Sequence, residues 1–149
     1  MSERDNFRYA EKCLYGYKQN MACLKVLRED LRVIETGTDV HAQNYQYTFS
    51  FTGEPSNPEE ARVVKMESLK KRIKDLERCT APITDMIETL TSKDVLNGSN
   101  NAALMEILRL MYFGGNTPEA IMNELNIAKR TFSRRRRALV SKTISYLGL

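Results

Sequence analysis

The chain has 149 residues, enough for one domain of ordinary size or two small ones. Its composition, 42% hydrophobic and 28% charged, is typical of folded proteins and argues against a wholly disordered chain. The net charge of +4 is concentrated at one end, because residues 128–149 contain seven Lys/Arg and no Asp/Glu, whereas residues 1–127 contain 16 Lys/Arg and 19 Asp/Glu.

The first predicted element is a long helix over residues 5–35. This stretch lacks proline, and its apolar side chains recur every three or four residues, as on one face of a helix. The stripe consists of Ala10, Leu14, Tyr17, Met21, Leu24, Leu27, Leu31 and Ile34. Gly37 is a suitable C-cap. A helix of about 45 Å would exceed the core of so small a domain unless it paired with another long helix.

A second long helix is predicted to begin at Pro58, a residue type favoured in the first helical turn. Its apolar stripe is the most regular in the chain and consists of Met66, Leu69, Ile73, Leu76, Thr80, Ile83, Ile87 and Leu90. Pro82 should kink this helix or make it restart near Thr80. Two such stripes favour an antiparallel helical hairpin, either in a monomeric bundle or doubled into a dimeric coiled coil.

The linker between these helices, residues 38–57, is rich in aromatic side chains. Tyr45, Tyr47, Phe49 and Phe51 alternate with polar residues, which predicts a short strand. We expect this segment to pack on the hairpin. The alternatives are that it pairs across a dimer, that it contacts a partner, and that it forms a stacking platform for nucleic acid. A polar stretch marks a boundary near residue 97. The predicted domains are therefore 1–96, for dimerisation or partner binding, and 97–149.

Three shorter helices are predicted in the second domain. The apolar side of the first consists of Leu104, Ile107, Leu108, Met111 and Tyr112. The next helix has Thr117 as N-cap and Pro118 at its first position, and Asn126 follows it in a left-handed turn. The buried side of the last helix would consist of Phe132, Leu139, Val140 and Thr143. The predicted fold class is all-α, with a long antiparallel helical hairpin followed by a trihelical helix–turn–helix unit.

The last predicted helix contains four consecutive arginines. If Phe132 and Leu139 point inward, other side chains at the start and on the outer side of this helix face solvent. The residues predicted to contact DNA are Lys129, Arg130, Thr131, Ser133, Arg134 and Arg137. Residues at the start of such a helix normally meet phosphates or the nearest base edges, and arginine can bond guanine with two hydrogen bonds.

Arg135 and Arg136 flank the inner side of the same helix, where their stems can cover apolar surface. We expect their guanidinium groups to reach a carboxylate, such as that of Glu119 or Glu124, or a phosphate. Cations in a first helical turn and like-charged neighbours both destabilise a helix, which indicates a functional reason for the run. A nuclear import signal would not explain the phased apolar residues. A membrane-binding helix needs a broader apolar face than residues 128–138 provide, and an ordinary solvated face usually mixes its charges.

No residue pattern indicates an enzyme, a metal site or a cofactor. Cys13, Cys23 and Cys79 lack C-x-x-C spacing, and His41 is the only histidine. A glycine-rich phosphate loop is absent as well. The N-terminus has no apolar core of a secretion signal, and no apolar run reaches about 18 residues, so we expect neither secretion nor a membrane partner.

The segment ILRLMYFGGNTPEAIMNELNIAKRTFSRRRRALVSK, residues 107–142, resembles region 4 of the sigma-70 family. The matching positions are Arg109, Tyr112, Phe113, Thr117, Ile121, Leu125, Ile127, Thr131, Ala138 and Leu139. The whole chain is similar to phage late-gene regulators of the ArpU/RinA type, through its long helical N-terminal half, an NPEE helix start at 57–60 and an LGL end at 147–149. Ala128 stands where the family has an N-cap serine, and the missing cap lowers the stability of the helix by about 1 kcal/mol.

The resemblance implies a sequence-specific DNA-binding regulator of bacteriophage or prophage late genes, in the cytoplasm of a bacterial host. Its expected partners are double-stranded DNA, an RNA polymerase subunit and a second copy of the chain in a dimer. The main alternative is a small terminase subunit, a DNA-packaging adaptor that would form a large ring. A third hypothesis is a protein-interaction module in which DNA binding only tethers the chain.

Overall fold

The computed structural model describes residues 1–37, 58–92 and 99–149, and every regular element among them is helical. Helix α1 spans Glu3–Thr36 and helix α2 spans Pro58–Thr91. The elements that follow are α3 (Ser99–Ile107), a π-helical segment (Leu108–Phe113), α4 (Pro118–Leu125) and α5 (Lys129–Leu147). The predicted all-α class is confirmed, and so is the pair of long helices that pack against each other.

Helix α1 begins and ends at local capping contacts. The Asp5 amide donates a hydrogen bond to Ser2 Oγ at 3.2 Å, which satisfies one of the free N–H groups of the first turn. Gly37 ends the helix with a positive φ of 69°, a conformation that favours glycine. Arg62 of α2 donates to the Ile34 carbonyl oxygen at 2.6 Å, so one of the last free carbonyl groups of α1 has a partner.

Helix α2 begins at Pro58, as the sequence predicts, and it does not restart near Thr80. It continues through Pro82 to Thr91. Thr80 is buried, and its carbonyl oxygen accepts a hydrogen bond from Thr84 Oγ1 at 3.1 Å. The turn around the proline is therefore held by a side chain and by burial, although proline itself donates no backbone hydrogen bond. The predicted aromatic strand at 45–51 lies outside the described residues.

The chain folds into two compact units. One comprises Met1–Lys18 with Arg78–Leu149, and the other comprises Gln19–Glu77. The first, which we call the larger unit, contains 14 Lys/Arg and nine Asp/Glu, whereas the second contains nine and ten. The larger unit thus has all of the positive excess. The domain boundary that the sequence predicts near residue 97 is a separate matter from these two units, and it stays a prediction.

The core of the larger unit contains side chains from the start of α1, the end of α2 and every later element. Its largest fully buried side chains are Leu14, Ile83, Met86, Leu90, Ile107, Leu108, Ile121, Leu139 and Val140. Complete burial of one such side chain contributes about 1.5–3 kcal/mol. The first 18 residues are therefore part of the same core as α5.

The second unit is a two-helix pairing between the end of α1 and the start of α2. Its buried core consists of Leu24, Leu27, Ile34, Leu69 and Ile73, all of which belong to the two predicted stripes. On its surface, Arg28 and Glu77 form an ion pair at 2.8 Å. Both side chains of this pair are exposed, so its contribution to stability is small, about 0–1 kcal/mol. The predicted stripes are confirmed in both units.

Candidate nucleic-acid interface

A short, well-defined turn joins α4 to α5. Thr117 Oγ1 accepts a hydrogen bond from the Ala120 amide at 3.2 Å and caps α4, and Asn126 ends it with φ 53° and ψ 51°. The Ile127 amide then donates to the Met122 carbonyl oxygen at 3.1 Å. The predicted cap and the predicted left-handed residue are both confirmed, and together they fix the direction in which α5 leaves the turn.

Helix α5 begins without a side-chain cap. Ala128 occupies the N-cap position and makes no capping hydrogen bond, as the sequence predicts, and no acidic residue lies in the first turn. The first backbone N–H groups of a helix have no partner within the helix, and they lie at the positive end of its dipole. This end of α5 is therefore electrostatically favourable for an anion.

One side of α5 is anchored in the core of the larger unit. The buried residues on this side are Phe132, Leu139, Val140 and Thr143, the set predicted from the sequence. Thr143 Oγ1 donates to the Leu139 carbonyl oxygen at 2.9 Å, so this buried hydroxyl is satisfied within the helix. Burial over three turns sets the rotation of α5 about its axis and thereby decides which residues face solvent.

The start and the outward side of α5 present the predicted DNA-binding residues to solvent. The exposed cations among them are Lys129, Arg130, Arg134 and Arg137. Thr131 and Ser133 are partly exposed beside them. Within residues 1–37, 58–92 and 99–149, none of these four cations forms an ion pair. Their mutual repulsion is therefore not offset by a carboxylate from the described part of the chain.

Arg136 differs from the other arginines of the run because its guanidinium group has partners within the described residues. Its Nε donates to Glu11 Oε1 at 2.8 Å, and its Nη2 lies 2.7 Å from the same oxygen. The guanidinium carbon lies 5.7 Å from the centre of the Phe7 ring, a cation–π distance. Arg136 therefore reaches a carboxylate, as expected, but that carboxylate is Glu11 of α1 and not Glu119 or Glu124. Arg135 is partly buried on the other flank.

Tyr112 of the π-helical segment completes this cluster. Its hydroxyl donates to Glu11 Oε1 at 2.7 Å, and its ring packs edge-to-face on Tyr15 with the centroids 4.7 Å apart. Burial, with a further contribution from the bond to Glu11, raises the pKa of Tyr112 well above its usual value. The hydroxyl therefore remains a neutral donor, and one carboxylate oxygen joins α1, the π-helical segment and α5.

The π-helical segment was not predicted, although its buried positions mostly were. Leu110 is buried together with Leu108, Met111 and Tyr112, which the regular 3.6-residue pattern does not produce. Gly114 ends the segment at a place where a Cβ atom would lie 2.8 Å from the Leu110 carbonyl oxygen. A glycine is therefore required at this turn, which leads the chain toward α4.

The described residues contain no cluster of three or more histidine, cysteine or carboxylate side chains that could hold a metal ion. Within the described helices, no segment combines the length and the apolar character needed to cross a bilayer. Comparisons with known protein families, with curated proteins and with solved structures found no match to this chain.

Proposed function

We propose that this protein is a sequence-specific DNA-binding protein whose helix α5 enters the major groove of duplex DNA. The observation that supports this most strongly is the pair of opposite sides on α5. One side is buried by apolar residues, whereas the start and the outward side of the helix have four exposed cations without carboxylate partners among the described residues. A rigid helix with such a side can match the regular spacing of phosphates and base edges in a groove.

The connection between α4 and α5 gives further support. A short capped helix, a left-handed residue and a second helix form the arrangement in which helix–turn–helix proteins present their recognition helix. In that arrangement the first residues of the second helix lie near backbone phosphates or the nearest base edges. Lys129 and Arg130 occupy those positions, while Arg134 and Arg137 lie one and two turns further along the exposed side of the helix.

The charge of the larger unit agrees with a polyanionic partner. It contains 14 Lys/Arg against nine Asp/Glu, whereas the second unit is nearly neutral. Contacts between cations and phosphates release condensed counterions, so each contact adds affinity that falls as salt is added. A positive excess confined to the unit that contains α5 would draw DNA to this part of the protein.

A role in transcription rests on the resemblance of residues 107–142 to region 4 of the sigma-70 family. We propose regulation of bacteriophage or prophage late genes, with a dimer on the operator and RNA polymerase as a further partner. The pairing of α1 with α2 in the second unit provides a helical surface on which either protein contact could form. A dimer would bind two half-sites related by approximate two-fold symmetry.

The test begins with selection of bound sequences from a pool of random duplexes by the full chain. Arg134→Ala should lower the preference for one base, at one position of the selected sequence, by about 1–3 kcal/mol. The reason is that an exposed arginine in the middle of the face is suited to bind a base edge. Lys129→Ala should weaken binding to all duplexes nearly equally, and it should flatten the salt dependence of the affinity by about one ion. Lys74→Ala, an exposed cation of the second unit, is the matched control and should change neither property.

Two results would contradict the proposal. The first is a failure of the selection to enrich any sequence. The second is unchanged affinity at low salt in both α5 variants, since it would mean that the exposed side of α5 does not contact DNA.

A further inference from the structure

Four arginines follow one another in α5, but the structure divides them. Arg134 and Arg137 are exposed, whereas the guanidinium of Arg136 lies against Glu11 and Phe7. The Arg136 side chain is 36% exposed and the Glu11 side chain is 15% exposed. The pair is thus mostly sheltered on the Glu11 side, while part of the guanidinium reaches the surface.

We propose that Glu11 withholds Arg136 from DNA and so sets how many cations α5 presents to phosphates. This inference rests on the proposed DNA-binding function. Glu11 is then a positioning residue that acts through Arg136, and it limits non-specific affinity. Each additional phosphate contact strengthens binding to every sequence, whereas contacts with base edges distinguish sequences.

The geometry of the cluster makes the pairing selective for Arg136. A single oxygen, Oε1 of Glu11, accepts from Arg136 Nε at 2.8 Å and from Tyr112 at 2.7 Å, with Arg136 Nη2 at 2.7 Å. Charge-assisted bonds of this length, in a partly buried place, are stronger than those of an exposed pair. The Phe7 ring lies beside the same guanidinium and adds a further favourable contact.

Release of Arg136 requires only a change of side-chain conformation. The guanidinium is already partly at the surface, and its residue follows Arg135 and precedes the exposed Arg137. Arginine has a long, flexible stem, so the group can move several ångströms while α5 stays anchored by Phe132 and Leu139. A free Arg136 would then reach a phosphate at the edge of the groove.

The experiment measures how the affinity of the full chain for a random-sequence duplex depends on salt. In Glu11→Gln the amide keeps the size of the side chain and an oxygen that accepts from Tyr112, but the negative charge is lost. We expect one more phosphate contact, so the slope of log affinity against log salt should steepen by about 0.9. Between about 50 and 200 mM salt, the loss of affinity should become about 3.5-fold larger than in the wild type.

Glu88→Gln is the matched control, because it removes an exposed carboxylate from the same compact unit and changes the net charge equally. It should leave the slope unchanged. Arg136→Met should also leave the slope unchanged, since Arg136 makes no phosphate contact in the wild type. The double variant, Glu11→Gln with Arg136→Met, has the net charge of the wild type and should return to the wild-type slope.

A flatter slope in Arg136→Met, or an unchanged slope in Glu11→Gln, would overturn the inference. So would a steepening that persists in the double variant or appears equally in Glu88→Gln. If Glu11→Gln loses its helical circular dichroism, the salt slope of Arg136→Met alone tests the inference. That slope is predicted to equal the wild-type slope, because Arg136 is paired with Glu11 in the wild-type structure. Lys129→Ala separates the two proposals: a flatter slope there, with none of the Glu11 effects, leaves DNA binding intact and removes only the role of Glu11.

Discussion

Replacement of Leu139 by alanine tests whether α5 is anchored. Leu139 is fully buried in the core of the larger unit, in the middle of the buried side of α5. A Leu→Ala change in a packed core lowers the free energy of unfolding by about 2–5 kcal/mol, from lost burial and from the cavity left behind. Because no part of Leu139 is exposed, we expect about 3 kcal/mol.

The assay is thermal unfolding followed by far-ultraviolet circular dichroism. A loss of about 3 kcal/mol should lower the midpoint of thermal unfolding by roughly 6–12 °C in a chain of this length. Val26→Ala is the control, since Val26 is 59% exposed and should change stability by no more than about 0.5 kcal/mol. A Leu139→Ala effect as small as that of Val26→Ala would refute the view that α5 has a buried side, and with it the orientation of the arginines.

Three further predictions concern the start of α5, a buried thiol and the assembly. Ala128→Ser should raise the free energy of unfolding by about 1 kcal/mol in urea titrations, because it supplies the missing cap; no gain would contradict the N-cap assignment. Burial, and then the nearby Cys79, raise the pKa of Cys13 to about 11. Near pH 8, Cys13 should therefore be alkylated far more slowly in the folded protein than in the urea-unfolded protein. The stability that its neutral thiol contributes should be lost as the pH rises from about 9 to 11. Equal rates in the two states would refute its burial. The mass in solution should be that of a dimer, whereas a large ring would favour the packaging adaptor.

The elements that could be predicted are those that depend on local signals. The stripe that contains Leu14 and Leu24 marks one face of α1, and Thr117 and Asn126 mark the ends of α4, because capping and amphipathic burial act within a few residues. The inward side of α5 followed from Phe132 and Leu139 in the same way.

The features that could not be predicted depend on distant segments. Glu11 and Arg136 are 125 residues apart, and no spacing rule relates them. Glu11 lies next to the apolar stripe of α1, so the sequence showed only a polar residue at the edge of a buried face. The π-helical segment was missed because its extra residue per turn depends on how Leu110 and Tyr112 are buried together. The helix through Pro82 likewise reflects tertiary packing around Thr80.

The most direct measurement compares two triple variants of equal charge change in their binding to duplex DNA. Arg130, Arg134 and Arg137 of α5 are replaced by glutamine in one, and the exposed Lys71, Arg72 and Lys74 of the second unit are replaced by glutamine in the other. Binding is followed by fluorescence anisotropy from about 50 to 200 mM salt. If α5 is the DNA-binding helix, the first variant should flatten the salt dependence by about two to three ions, and the second should retain the wild-type slope. Equal flattening in both variants, or none in the first, would contradict DNA binding by α5.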